Sequence, residues 1–159
     1  MRRLMLAAVC LVLFSLQTEA QTIRAGLRGL ASFSLVIEEL DRDASACGLT
    51  KEGIERAVMY PASSAKFQIE PLLPNYLYVV VSTMFLERYD ECVSVISLRV
   101  RANQKVTLAF SGQETVAPIE LWTRSGILAS GRGLHAQRSS QTIEDLTKAF
   151  VTDWNLANK

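Results

Sequence analysis

The fold is decided by the stretch Tyr76-Leu77-Tyr78-Val79-Val80-Val81 and its continuation to Leu86. Aromatic and β-branched residues fill this stretch without a glycine or proline, and both of its faces are apolar enough for a central strand. A charged connection of hairpin length follows at 87–91, and apolar and polar residues then alternate over 92–102. The sequence therefore predicts one long hairpin, with Cys92 at the start of its second strand.

Shorter segments precede this hairpin. Residues 21–32 contain glycines and show little periodicity, which predicts a loose arm leading into the fold. Alternation over 33–40 predicts a strand that ends at an acidic turn, 41–43. Residues 66–70 are expected to form a short extended piece closed by prolines.

A helix is predicted between these two extended segments. Thr50 suits its N-cap, and Leu49 and Ile54 occupy the two positions of a hydrophobic staple. Because proline fits poorly inside a helix, Pro61 limits how far this helix runs regularly beyond Met59.

Three further strand candidates follow the hairpin, at 106–110, 119–123 and 127–130. The last of them either extends the second or pairs with it around Gly126.

The C-terminus carries the clearest helical pattern. Glu144 and Lys148 form an i, i+4 pair on its exposed side. Apolar residues recur at i, i+3, i+7 and i+11, namely Ile143, Leu146, Phe150 and Trp154. The order strand, helix, several strands, helix predicts an α+β fold, a two-layer sandwich in which two helices cover a mainly antiparallel sheet.

Residues 1–20 have the three parts of a secretory signal peptide. Arg2 and Arg3 make a positive start, residues 4–16 are almost purely apolar, and Ala20 ends a site suited to signal peptidase. The apolar run is shorter than the roughly 20 residues that span a bilayer, which disfavours the alternative of a retained anchor. The chain is therefore predicted to be exported to the periplasm or beyond, as a single domain of residues 21–159 without an integral membrane span.

Cleavage changes both the charge and the cysteine inventory. The full chain has 17 Lys and Arg and 16 Asp and Glu, so loss of Arg2, Arg3 and Glu19 brings the formal net charge to zero. Nucleic acid is then an unfavourable partner, because proteins that bind phosphates carry a basic surplus. Cys47 and Cys92 remain, and an even count in an oxidising compartment predicts a disulfide between them. Two separate buried thiols are the alternative.

Side chains that do chemistry are sparse. His135 is the only histidine, so a zinc spacing cannot exist, and a lone imidazole is expected at the surface or in a loop. Glu38 and Glu39 are candidates for acid–base catalysis, and Asp41 and Asp43 for calcium, but carboxylates beside a turn are mostly solvated. We therefore predict no catalytic residue, no metal ligand and no cofactor.

Two other features have ordinary interpretations. Gly131 and Gly133 belong to a glycine-rich stretch whose order and spacing fail the dinucleotide fingerprint, so a sharp turn or bulge is expected there. Arg99 and Arg101 lie on the polar face of the strand at 92–102, which suits either solvent or an acidic partner.

Four segments, taken as a set, resemble a group of small exported bacterial proteins of unknown function: Ala46-Cys47-Gly48-Leu49-Thr50, Glu91-Cys92-Val93, Ile119-Glu120-Leu121-Trp122 and Asp153-Trp154-Asn155. The resemblance spans most of residues 21–159 and implies a family without a mechanism. The element order is also similar to periplasmic domains of envelope assembly systems, such as the Tol and curli-secretion machineries, where the domain serves protein contacts.

Two classes of function follow from these features. Export, neutrality and a polar open sheet face favour a non-enzymatic periplasmic binding or assembly-accessory module with an envelope protein as partner. The alternative is a small hydrolase or hydrolase inhibitor whose dispersed site would use Glu38, Glu39, Tyr76 or His135. The sequence predicts no oligomeric state.

Overall fold

The computed structural model describes residues 25–159, which form one five-stranded sheet and three helices. The elements in chain order are β1 Ser32–Ile37, α1 Arg42–Ala46, α2 Lys51–Ala62, β2 Gln68–Ile69, β3 Asn75–Leu86, β4 Glu91–Thr107, β5 Glu114–Gly131 and α3 Arg132–Ala157. The sheet order is β2-β1-β3-β4-β5, with β1 parallel to both neighbours and β3, β4 and β5 antiparallel. The predicted α+β fold with a mainly antiparallel sheet is confirmed.

The central hairpin forms as the sequence predicts. β3 pairs with β4 without interruption from Asn75 opposite Ala102 to Leu86 opposite Glu91. A single 3₁₀ turn, Glu87–Tyr89, connects the two strands. β1 pairs with the other side of β3, so β3 is the central strand that its two apolar faces predict.

The core lies between the sheet and the helices α2 and α3. Inward side chains of β3 and β4 are almost fully buried, among them Leu77, Val79, Ile96, Leu98 and Val100. One end of the core is aromatic, with neighbouring ring centroids 5.1 to 5.5 Å apart among Phe33, Phe67, Trp122, Phe150 and Trp154. Phe150 of α3 contacts three of the other rings, so it holds helix and sheet together.

The strands after the hairpin differ from their predicted bounds. The separate strand predicted at 106–110 is wrong, because Val106 and Thr107 end β4 itself. The candidates at 119–123 and 127–130 belong to one strand, β5. Gly126 lies inside it, where a Cβ would stand in tight contact with α3, 3.2 Å from Thr142 Cγ2. Residues 103–118 run past the end of β3 as a two-stranded projection, the hairpin arm, whose tip residue Phe110 is 88% exposed.

Helix α2 begins at its predicted capping residue, and both α2 and α3 are longer than predicted. Thr50 Oγ1 accepts from the Gly53 N–H at 3.1 Å, as an N-cap should. α2 runs past Pro61 to Ala62, since a proline in the last turn removes few helical hydrogen bonds. α3 starts at Arg132, directly after β5, and is therefore 26 residues long. No helix within residues 25–159 is long and apolar enough to cross a membrane.

The segment before β1 is not the loose arm that its composition predicts. Leu27 is fully buried, and the Asn158 side chain accepts from the Gly29 N–H at 2.7 Å. Trp154 Nε1 donates to the Leu30 carbonyl at 2.7 Å. These contacts come from the far end of the chain, so local periodicity carries no sign of them. Residues 21–24 and the predicted signal peptide, 1–20, lie outside the described residues.

Candidate functional site

The structure places His135 in the core, so its predicted position at the surface is wrong. α3 begins three residues earlier, which turns the imidazole inward against the ends of β4 and β5. Its Nε2 lies 2.7 Å from Ser94 Oγ and its Nδ1 lies 2.8 Å from Ser130 Oγ. Ser94 Oγ in turn lies 2.7 Å from Thr83 Oγ1. The result is a buried chain of hydrogen bonds that joins β3, β4, β5 and α3.

This network lies inside the core. A serine and a histidine at 2.7 Å have the separation of a nucleophile and its base, but Ser94 and His135 are both fully buried. Both ring nitrogens bond to serine hydroxyls, and neither bonds to a carboxylate of the described residues that would favour the imidazolium. Burial lowers the pKa of His135, which keeps the ring neutral inside the fold.

The neutral histidine predicts a pH dependence of stability. Because the pKa of His135 is lower in the folded chain than in the unfolded chain, the unfolded chain binds a proton at pH values where the folded chain does not. The contribution of His135 to the free energy of unfolding is therefore fully present above about pH 6.5. It falls as the pH drops below that value, by at most about 1.4 kcal/mol per pH unit. Denaturant melts between pH 8 and pH 5 measure this slope.

His135→Gln is the matched variant, since glutamine keeps a donor and an acceptor but does not titrate. The chain has no second histidine, so the variant should lose the slope between pH 7 and pH 5. A slope unchanged in His135→Gln would show that His135 is not its source.

Asp41 and Asp43 close an edge of the sheet. β1 ends opposite Val79, which leaves the following part of β3 without a neighbour on that side. Asp43 Oδ2 accepts from the Phe85 N–H at 3.0 Å, and Asp41 Oδ2 from the Thr83 N–H at 3.4 Å. Asp41 also caps α1. Within residues 25–159 no three His, Cys, Asp or Glu side chains gather as a metal site.

The other catalytic candidates are not brought together. Glu38 and Glu39 are exposed at the end of β1, whereas His135 is buried beneath α3. Glu38 instead hydrogen-bonds Tyr78 on the opposite side of the sheet. The structure thus separates Glu38 from His135, whereas Tyr76 lies beside Tyr78 on the face that Glu38 reaches.

Cys47 and Cys92 lie at disulfide-bonding distance, with their Cα atoms 6.2 Å apart, in agreement with the predicted pairing. Both are buried, and they join the end of α1 to the start of β4. Arg132 Nε adds a second tie by donating to the Ala46 carbonyl at 2.9 Å. The small helix that carries Asp41 and Asp43 is thereby fixed against the sheet.

The side of the sheet away from α2 and α3 carries no helix within the described chain. We call it the open face, and its main side chains are Val36, Tyr76, Tyr78, Val80, Met84, Val95, Arg99, Arg101, Glu120 and Ile127. Several aliphatic members are well exposed, with Ile127 at 79% and Met84 at 60%. A surface of this composition differs from the solvated polar face that the sequence alone indicates.

An aromatic and guanidinium cluster lies at the centre of the open face. The Arg101 guanidinium carbon stands 4.8 Å from the Tyr78 ring centroid, and the Tyr76 ring meets Tyr78 edge-on at 6.2 Å. Burial, and then the hydrogen bond to Glu38, raise the pKa of Tyr78. The alternation of β4 predicts that Arg101 lies on this face. The contact with Tyr78 could not be predicted from the sequence, because it depends on the cross-strand register that sets Tyr78 opposite Arg99.

A β-bulge completes this cluster. The register of β4 and β5 shifts between Val100 and Arg101, so Glu120 lies opposite Arg101 and Trp122 opposite Val100. Without the bulge, Glu120 and Trp122 would share one face of the strand, because side chains alternate. The bulge buries Trp122 and turns the Glu120 carboxylate outward, 3.7 Å from Arg99 and 3.9 Å from Arg101.

Comparison of the chain with models of known protein families finds no match, and comparison with curated protein sequences finds none. The resemblance to small exported bacterial proteins therefore stays a prediction. Function has to be inferred from the geometry of the open face.

Proposed function

We propose that the protein is an exported, non-enzymatic binding module that holds a protein of the cell envelope against its open face. The observation that carries this proposal is the Tyr78 and Arg101 stack, surrounded by exposed aliphatic side chains on a sheet face that no helix of residues 25–159 covers. The disulfide supports export, because such bonds persist in oxidising compartments.

The composition of the open face favours a protein over a small molecule. Tyrosine, arginine and methionine are enriched in the buried centres of protein interfaces, and lysine is depleted there. The open face has the first three and no lysine among its main side chains. It is a broad surface rather than a deep cleft, whereas small ligands need concave sites.

The charges on the open face indicate one property of the partner. Glu120 is the single carboxylate within ion-pair distance of both Arg99 and Arg101 among the described residues. A second carboxylate from a partner would balance the pair and gain charge-assisted hydrogen bonds. The surface that fits is therefore apolar with an acidic group near its centre.

The test is capture of partners from an envelope extract by the immobilised protein and by two matched variants. Tyr78→Ala removes the centre of the open face, and Tyr60→Ala removes a tyrosine that is 73% exposed on the helical side. We expect Tyr78→Ala to weaken binding about 30-fold or more, as for an interface hot spot, and Tyr60→Ala to leave it unchanged. Equal capture by both variants, each with an unchanged circular dichroism melt, would reject the open face as the binding surface.

A further inference from the structure

We propose that two copies of this chain associate through the free edge of β5, which joins their sheets into one continuous sheet. The association uses the backbone edge of β5, which borders the open face at Ile127, and it does not depend on the proposed function. Its elements are an unpaired strand edge, a register without charge conflict, and complementary charges on α3.

The first element is the edge itself. β5 pairs with β4 on one side and with no strand on the other within residues 25–159. The Arg132 N–H donates to the Asp90 carbonyl at 3.0 Å and so continues the ladder beyond Gly131. Since backbone groups alternate along a strand, residues 123, 125, 127 and 129 direct their N–H and C=O groups to the free side.

The free edge is open only along part of β5. Towards the hairpin arm, Pro118 and the bulge at Leu121 interrupt it, and both are devices that protect edge strands. Gly26 also approaches there, where a Cβ would stand 2.7 Å from the Leu121 carbonyl oxygen. From 122 to 131 the only charged side chain is Arg124, which bonds to Asp153 at 3.1 Å. This segment lacks the protection that the rest of the edge has.

The register of a symmetric pair follows from the exposed aliphatic residue in this segment. With a two-fold axis at Ile127, the two Ile127 side chains meet, and Ser125 lies opposite Ala129 of the second copy. No like charges face each other in this arrangement. Ile127 is 79% exposed in the single chain and lies beside the partly exposed Val95 of β4, so pairing continues an apolar stripe across the axis.

Charges on α3 favour a second copy over an unrelated strand. Thr142 of α3 lies against Gly126, one residue from the two-fold axis. Arg138 precedes Thr142 by four residues and Asp145 follows it by three, and both are exposed. A two-fold axis reverses the direction of the neighbouring helix, which brings Arg138 of one copy towards the exposed Asp145 of the other. There it would add a second cation to the ion pair that Asp145 makes with Lys148 at 3.1 Å. An unrelated strand would offer no such match.

Sedimentation equilibrium of the full protein, purified without reductant, tests the association. We expect a reversible dimer whose dissociation constant rises on the order of 100-fold in Ile127→Lys, because two ammonium groups would meet at the axis and the apolar contact would be lost. Val116→Lys is the control, since Val116 is 63% exposed on the same strand but lies in the hairpin arm. Its dissociation constant should not change.

A charge swap tests the register. Arg138→Glu and Asp145→Arg should each weaken the dimer about tenfold, and the double variant should recover most of the loss. A wild-type monomer at every soluble concentration, or a dimer indifferent to Ile127→Lys, would overturn the inference. Because these measurements use the protein alone, their failure leaves partner capture by the open face unaffected.

Discussion

Phe150→Ala is expected to lower the free energy of unfolding by about 3–5 kcal/mol, the usual cost of removing a buried phenylalanine ring. Phe150 is fully buried, and its ring lies 5.3 to 5.5 Å from the rings of Phe33, Phe67 and Trp122. The variant loses these contacts and leaves a cavity between α3 and the sheet, which rigid neighbours on strands cannot fill. Equilibrium denaturation in urea measures the change.

The control for this variant is Phe110→Ala in the hairpin arm. Phe110 is 88% exposed, so its loss should change stability by no more than about 0.5 kcal/mol. If both substitutions cost the same, the aromatic cluster would not be the centre of the core.

Removing the disulfide, in the double variant Cys47→Ala and Cys92→Ala, should cost about 4 kcal/mol. The bond spans a sequence separation of 45, and closure of such a loop restricts the unfolded chain. The fold also loses the tie that holds α1 and its two edge-capping carboxylates against β3. For a chain of this size we expect the melting temperature to fall on the order of 10–15 °C.

Reductant provides the control for the disulfide. Dithiothreitol should lower the melting temperature of the wild type towards that of the double variant and leave the double variant unchanged. A wild-type melt indifferent to reductant, at a concentration that demonstrably releases both thiols, would remove the bridge from the account of stability.

The parts of the fold that the sequence predicts well are those whose pattern is local. The hairpin of β3 and β4 follows from alternation and uninterrupted β-branched residues, and the cap of α2 follows from Thr50. Both depend on neighbours only a few residues away. The apolar stripe of α3 is predicted for the same reason, although its start at Arg132 is not.

The parts that the sequence misses depend on contacts between distant segments. His135 is buried because α3 begins early and because Ser94, 41 residues away, supplies a hydrogen-bond partner. The segment around Leu27 is held in place from the other terminus, where Asn158 donates to the Leu27 carbonyl and Trp154 donates to the Leu30 carbonyl. A local pattern contains neither fact, so the sequence predicts a surface or loop histidine and a loose glycine-containing arm.

The open face is intermediate between these two cases. The alternation of β4 predicts that Arg99 and Arg101 share a face, and the structure agrees. The residues that make this face unusual are brought to the arginines by strand pairing. Tyr78 comes from β3, and Glu120 reaches this face through a β-bulge that the sequence of β5 does not predict. The binding surface is therefore visible only once the register is known.

Site-specific photocrosslinking in the producing cell is the most direct test of the proposed binding face. Val36 on the open face and Met59 on the helical side are each 39% exposed, so a photoreactive residue is equally accessible to solvent at the two positions. The account predicts a discrete crosslinked protein from position 36 and none from position 59. Crosslinking from position 59 with none from position 36 would contradict it.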